Sequence, residues 1–276
     1  MARKSSRNAT DGAASRALTL SELSWPEVEE FSENVEIVLI PFGSTEQHGP
    51  NLAVSADAAI AEAFCKLASK KMFPRLLVAP TVSWGVSPHH MDFPGTITLS
   101  AGTLLQLYDD IASSLVHHGF RRILIVNAHG GNRDISGVVA VELGERYDLD
   151  FVGAVYLPGL VPEELNEKHR LSERVGHACE LEVSDALFLC PEIVKKGAIA
   201  PGDLREEGWP LRNALRKHDV RSSYSMADIT HNGALGDATH ASVEAGKARI
   251  EAALDSLAEL VEAIAAGTGV PTAGSR

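Results

Sequence analysis

Cysteine is scarce in this chain. Cys65, Cys179 and Cys190 are the only three in 276 residues, and none forms a CxxC pair. That spacing excludes a secreted disulfide framework. Cys65 and Cys190 fall in apolar helical patterns and read as small core residues, and Cys179 reads as a packed small side chain rather than a pocket thiol. Positive charge is also short, with 25 Lys and Arg against 37 Asp and Glu and a formal net charge of −12. An acidic balance of this size argues against nucleic acid or an anionic membrane surface as partner. No apolar run approaches the roughly 18 residues of a membrane span. Met1–Ala17 is basic and rich in Ser and Ala but lacks the apolar stretch of about 7–15 residues that a secretory signal needs. This segment is expected to be a disordered leader, and the protein to be cytoplasmic.

Hydrophobic residues make up 45% of the chain, enough for a sizeable core in one large domain. The expected organisation is a leader over 1–17, a single domain over 18–266 and a frayed tail over 267–276. A short helix is predicted through Trp25–Phe31, and an apolar strand over Val35–Ile40, broken by Pro41 and Gly43. Helical spacing follows over Asp57–Lys71, then a short strand at Leu76–Ala79 and a long Gly/Pro/His loop to about Thr98. Ser100 is a plausible N-cap for a helix to His118. Arg122–Val126 and Phe151–Tyr156 read as strands. Helices are expected after Gly130–Asn132 up to Tyr147, over Gly176–Leu189 and over Ala241–Ala266. Alternating strands and helices with short apolar strands imply an α/β fold with a mostly parallel sheet, covered on both faces.

Eleven histidines are present, several beside Gly, Asn or Glu in turn-like segments. The first such segment, Gly43-Ser-Thr-Glu46-Gln-His48-Gly-Pro50, ends the first strand, where open α/β sheets keep their sites. Glu46 and His48 are two apart, so in extended backbone both face the same way. Asp57 opens the next helix nine residues on. Carboxylate and imidazole together form a mixed O/N donor set suited to Zn, Mn or Fe rather than Ca. Taken alone, such a segment is more often a polar turn with a surface carboxylate.

The second segment is Asn127-Ala-His129-Gly130-Gly131-Asn132, directly after the strongest strand. Glycines there let backbone approach a ligand with no Cβ in the way. The turn could cradle phosphate at a helix N-terminus, but it lacks the spacing and the Lys of a P-loop. His129 as a metal ligand is favoured. The third segment, Gly176-His177-Ala-Cys179-Glu180-Leu-Glu182, reads as the opening of a helix. His177 and Glu180 would then share a face, with Glu182 well round from His177. Acidic residues near the positive end of a helix dipole account for that pattern as well. Together the segments supply Glu46, His48, Asp57, His129 and Glu182, more donors than one tetrahedral ion needs. Two ions sharing a carboxylate, roughly 3.5–4 Å apart in such sites, fit the set.

These motifs, with Phe93-Pro-Gly-Thr-Ile-Thr-Leu99 and Gly236-Asp-Ala-Thr239, fall in the order found in the creatininase family, which the chain resembles from about Leu18 to Ala266. The resemblance implies a three-layer α/β/α fold and two divalent metal ions (Zn, Mn or Fe). It implies hydrolysis of an amide C–N bond by a metal-bound hydroxide, and a homo-oligomer, with a hexamer common in the family. Carried over by position, Glu46 and His129 would hold one ion, His48 and Glu182 the other, and Asp57 would bridge. His177 would handle the proton. Creatininase itself has an acidic ligand where this chain has Gly131, so Glu182 takes that part here. Its substrate-covering tryptophans are matched by Leu157 and Glu173, which argues against creatinine. The expected substrate is a small cyclic amide, lactam or related molecule, lined by Gly130, Gly131, His90 and Trp84, with His89 beside them. A deformylase or peptidase acting on an acyclic amide is the alternative within enzymes. Outside enzymes, the alternative is a non-catalytic module binding an anion or sugar phosphate. Asp92 and Glu180 are supporting candidates, and His231 and His240 are expected to lie outside the ligand set.

Overall fold

The computed structural model describes residues 16–267 other than Asp219; the expected leader up to residue 15 and the tail from residue 268 lie outside the described residues. Four strands, β1 (Ile37–Phe42), β2 (Leu76–Val78), β3 (Arg122–Asn127) and β4 (Phe151–Tyr156), form one parallel sheet in the order β2-β1-β3-β4. Residues alternate across it as a pleated strand requires. Ile37, Leu39, Leu124 and Val126 pack into one core, and Val38, Ile40, Phe42, Ile123 and Ile125 into another. Both faces are therefore apolar, and each is covered.

The first face takes α2 (Ala56–Lys71), α6 (Glu180–Leu189) and α8 (Val243–Ala265). On α2, Ala61, Phe64, Cys65 and Ala68 recur at three and four residues and are buried, the stripe that seats a helix on a sheet. The opposite face takes α1 (Trp25–Ser32), α3 (Ala101–His117) and α4 (Arg133–Arg146). Ser100 accepts a hydrogen bond from Thr103 N and caps α3, whose Tyr108 packs edge-on against Phe42 with centroids 5.3 Å apart. The result is the expected three-layer α/β/α fold.

Three local expectations need correction. The first strand does not break at Pro41. It continues to Phe42, because Pro41 accepts from Val82 on the side where β2 has already ended, so its missing N–H leaves no ladder bond unmade. The third helix of the expected site starts at Glu180, not Gly176, and His177 is extended, bridged to Leu235. Between 190 and 241, where no helix was expected, α7 (Trp209–Lys217) forms, and α5 (Glu163–His169) precedes α6. Among the described residues no helix is long and apolar enough to cross a membrane. Cys65, Cys179 and Cys190 are all buried free thiols.

Arg249 on α8 locks that helix to α6 through a buried two-pronged pair with Asp185, at 2.8 and 3.0 Å, and it also donates to Asn166. Removing one partner strands the other charge in a dry interface. Arg249→Ala should lose about 3–5 kcal/mol in denaturant unfolding. Replacing both Arg249 and Asp185 with Leu should recover much of that loss.

Candidate metal centre

The sheet order reverses direction between β1 and β3, which places a crevice beyond their carboxyl ends, the usual ligand position in such sheets. Glu46 and His48 follow β1 and His129 follows β3. Their backbones are pinned by two asparagines of the His-Gly-Gly-Asn turn. Asn127 binds both the N–H and the carbonyl of His129 through its side chain. Asn132 is buried, donates to the Gly43 carbonyl and accepts from Val86 N, which ties the two strand ends to the loop after β2.

Asp57 enters from the first turn of α2. A Cβ on Gly43 would lie 2.3 Å from Ala58 N and 2.5 Å from the Asp57 carbonyl carbon, so only glycine lets the end of β1 come this close to α2. That contact brings the buried Asp57 carboxylate between two imidazoles. Its Oδ1 is 3.4 Å from His48 Nε2, and its Oδ2 is 3.1 Å from His129 Nδ1. Glu46 Oε1 lies 3.1 Å from the same His129 nitrogen.

The tautomers follow from the other ring nitrogens. His48 Nδ1 donates to the Glu46 carbonyl at 3.1 Å, so in the neutral ring Nε2 carries the lone pair facing Asp57. His129 Nε2 lies 3.1 Å from Ser87 Oγ, itself 2.6 Å from Ser44 Oγ, which leaves Nδ1 for the carboxylates. Orientation of a ligand imidazole by a hydrogen bond at its far nitrogen is the usual arrangement in metal sites.

Glu182 reaches the centre from the first turn of α6. The preceding Ala178 has φ 49°, a left-handed turn that a residue with a Cβ adopts at a cost. It is held by its N–H to Glu182 Oε2 at 2.5 Å and by Asn51, which donates to its carbonyl at 2.9 Å. The same turn throws His177 back over the site. His177 Nε2 donates to the Gln47 carbonyl at 2.7 Å, and Nδ1 stands 3.8 Å from Glu46 Oε1.

Two donor groups, Glu46–Asp57–His129 and His48–Asp57–Glu182, each bring their ligand atoms within 4.8 Å of one another and share Asp57. Both oxygens of Glu46, Asp57 Oδ2 and His48 Nε2 are buried without a hydrogen-bond partner. Unpartnered buried acceptors converging on a point are costly unless something positive sits among them. The donor set and its orphaned atoms therefore fit divalent cations.

Electrostatics point the same way. Burial disfavours protonated His48, yet Asp57, Glu182 and Glu46 outweigh it and hold the ring up to about 10. Burial likewise opposes protonation of His129, but Glu46 and Asp57 keep it well above its ordinary value. Burial would raise Asp57, but His48 and His129 draw it well below the usual carboxylate range. Glu182 is pushed up to about 7 by burial, partly offset by His48. Burial and the positive His48 depress His177 to about 3. Without cations, protons on His48 and His129 take their place.

His90 is buried and accepts from Gln47 Nε2 at its Nδ1, so its Nε2–H points at Glu46 Oε1, 3.4 Å away. It is placed to orient Glu46 rather than to donate a lone pair to a cation. A cavity of about 950 Å³ opens above the centre, lined by His89, His90, Gly130, Gly131, Tyr156 and His177 among others. His89 stacks on His129 and occupies the space that a side chain at Gly131 would need. Trp84, expected on the substrate wall, is half-exposed and lies outside the cavity lining, because the loop turns it to the surface.

Glu180 instead binds the N–H groups of Leu171, Ser172 and Asp237 and braces loops. Asp92 accepts from Ser225 Oγ on the surface. His240 pairs with Asp237 at 3.5 Å, away from the centre. Sequence reasoning gave no role to Ser87 or Gln47, which orient His129 and His90, nor to Arg212, Tyr224 and Tyr156 at the cavity. Only Gln47 lay inside a recognisable motif.

Cations entering this site must displace the protons on His48 and His129. Near pH 7, metal uptake by chelator-stripped protein should release protons, and affinity should rise with pH. Calorimetry in buffers of differing ionisation enthalpy checks this; a buffer-independent heat would contradict it.

Residues 21–261 match the family model described as creatinine amidohydrolase. The chain is 29% identical over 240 residues to a mycofactocin precursor peptide peptidase of Mycobacterium ulcerans, covering 84% of this chain and 87% of that protein. It is 25% identical over 256 residues to a 3-dehydro-scyllo-inosose hydrolase of Thermotoga maritima, covering 86% and 80%. A solved creatininase structure described with Mn superposes with a TM-score of 0.74 at 23% identity, covering 89% of this chain and 98% of that one. The fold, the order of the motifs and the family match together make this chain a hydrolase belonging to the creatininase family.

Proposed function

We propose that the protein is an amidohydrolase that uses two divalent cations, Zn, Mn or Fe, held by Glu46 and His129 on one side, His48 and Glu182 on the other, and Asp57 between them. The observation that carries this reading is the pair of donor groups sharing Asp57, with its two oxygens turned to different imidazoles. When bound, such cations lower the pKa of a shared water and polarise the carbonyl under attack. The protein's own groups do the rest. His90 and the backbone orient Glu46 and His48. Gly130 leaves open space at the cavity floor, where a carbonyl can come close to backbone, while Gly131 lets His89 and His129 pack against the turn.

His177 is the proton carrier in this scheme. Its Nε2–H is fixed to the Gln47 carbonyl, so Nδ1 holds the lone pair on the side of Glu46. Burial keeps it neutral near pH 7. A proton accepted at Nδ1 can be passed to the leaving nitrogen.

Of the two substrate shapes expected, a small cyclic amide or an acyclic amide such as a peptide or formamide, the cavity favours the second. A volume of about 950 Å³ is far more than a single small ring needs and lies near the top of the range for ligand pockets. The peptidase relative supports the same direction. A homo-oligomer goes with this reading, and among the described residues no helix is long and apolar enough for a membrane span.

Removing the metal with a chelator should abolish hydrolysis across a panel of lactams, cyclic ureas, formamides and short peptides, and adding it back should restore turnover on the acyclic members first. His177→Ala should cut kcat by about 100-fold or more while metal content stays level. Loss of metal in that variant would make His177 a ligand instead.

A further inference from the structure

Beyond the metal centre, the cavity wall carries an arginine with no acidic partner. Arg212 lies on α7 and faces the cavity. Its guanidinium sits 4.5 Å over the Tyr224 ring and 5.8 Å from the Trp209 ring. Its Nε is buried without a hydrogen-bond partner, and among the described residues no carboxylate stands within ion-pair distance of it. Two neighbouring arginines are neutralised. Arg221 pairs with Asp134 at 3.2 Å and Arg174 with Glu206 at 2.9 Å.

In a chain of net charge −12, leaving one guanidinium unpaired against a cavity calls for a physical reason. Aromatic faces hold its plane by cation–π attraction and stacking. Its Nε–H has no acceptor within the described residues, so a partner supplied from the cavity would satisfy it. A planar fork of this kind matches a carboxylate in two-pronged geometry. The arginine is also connected to the reaction centre. Tyr224 lies 5.4 Å from the His89 ring, and His89 stacks on His129 at 5.7 Å. One substrate of modest length can therefore span from Arg212 to the donors around Asp57.

We propose that Arg212 binds a carboxylate of the substrate, so that the amides this enzyme cleaves carry an anionic group remote from the scissile bond. The proposal rests on the amidohydrolase reading above and narrows its substrate class. The carboxylate can come from a small organic acid or from the C-terminus of a short peptide, which are alike in chemistry. Arg221 and Arg133 also line the cavity, but Arg221 is paired with Asp134, and Arg133, 4.9 Å from the Tyr156 ring, is exposed. Arg133 serves as the comparison.

Hydroxamates test this directly, because the hydroxamate end seeks a metal and the tail reports on the wall. Binding to metal-loaded enzyme is measured for acetohydroxamate, for monohydroxamates of dicarboxylic acids from succinic to suberic, and for their methyl esters. Dipeptide hydroxamates with free or amidated C-termini form the peptide arm. At the best length, a free carboxylate should tighten Kd by about tenfold over its neutral match, the worth of a charge-assisted hydrogen bond. Arg212→Gln should erase that gain and leave acetohydroxamate binding and the melting temperature unchanged. Arg212→Lys should keep part of it, and Arg133→Gln all of it. The arm that shows the larger gain identifies the carboxylate's source. Equal binding of charged and neutral tails, or a gain lost with Arg133 and kept without Arg212, overturns the proposal alone. If acetohydroxamate itself fails to bind, the metal reading falls and this proposal with it.

Discussion

One buried carboxylate holds this site together. Asp57 presents each of its oxygens to a different imidazole, and Glu46 crowds the same space with two acceptors that nothing in the chain satisfies. Such an arrangement is stable only with positive charge between the groups. Protonated His48 and His129 supply it in the bare protein, and a pair of cations would supply it better. Much of the surrounding construction serves to bring Asp57 into place. Gly43 lets β1 touch the start of α2, and Asn132 ties Gly43 to the His129 turn. The left-handed turn at Ala178 swings Glu182 and His177 in from the far side. A failure in any of these would leave acids facing acids in a dry crevice.

The fold was largely legible because its strands are short, apolar and buried on both sides, and its helices carry clear stripes. β4 appears at the expected bounds, and Ser100 caps its helix as its residue type suggested. The deviations have local causes. Pro41 reads as a strand breaker, yet its missing donor faces a place where the neighbouring strand has ended. His177 looked like a helical residue because acids and alanines follow it, but helical spacing starts only after the left-handed Ala178. A positive φ at alanine carries no signal in sequence. α7 escaped notice because it is only nine residues long and polar on average, so its apolar face, although one-sided, is too short to stand out.

The donor set was legible for a different reason. Chemistry-bearing residues cluster in three motifs, two following β1 and β3 and one opening α6, and these converge at the carboxyl end of the sheet. What could not be read were the residues acting from outside those clusters. Ser87 comes from the loop after β2, and Arg212 and Tyr224 from the segment beyond α6. Their relation to the centre exists only in three dimensions. The exposed position of Trp84 has the same origin, since the direction in which a loop turns a side chain depends on what the loop packs against. The division is instructive for substrate choice. The anionic floor is written in the motifs, whereas the aromatic and cationic cavity wall comes from elements outside them, β4, α7 and the loop after it.

The account stands or falls on Asp57 serving two cations at once. Elemental analysis of the protein as isolated, set beside Asp57→Ala, measures this directly. Two transition-metal ions per chain in the former and loss of both in the latter would agree with a shared carboxylate. A wild-type chain without stoichiometric metal, or a variant that sheds one ion and keeps the other tightly, would contradict it.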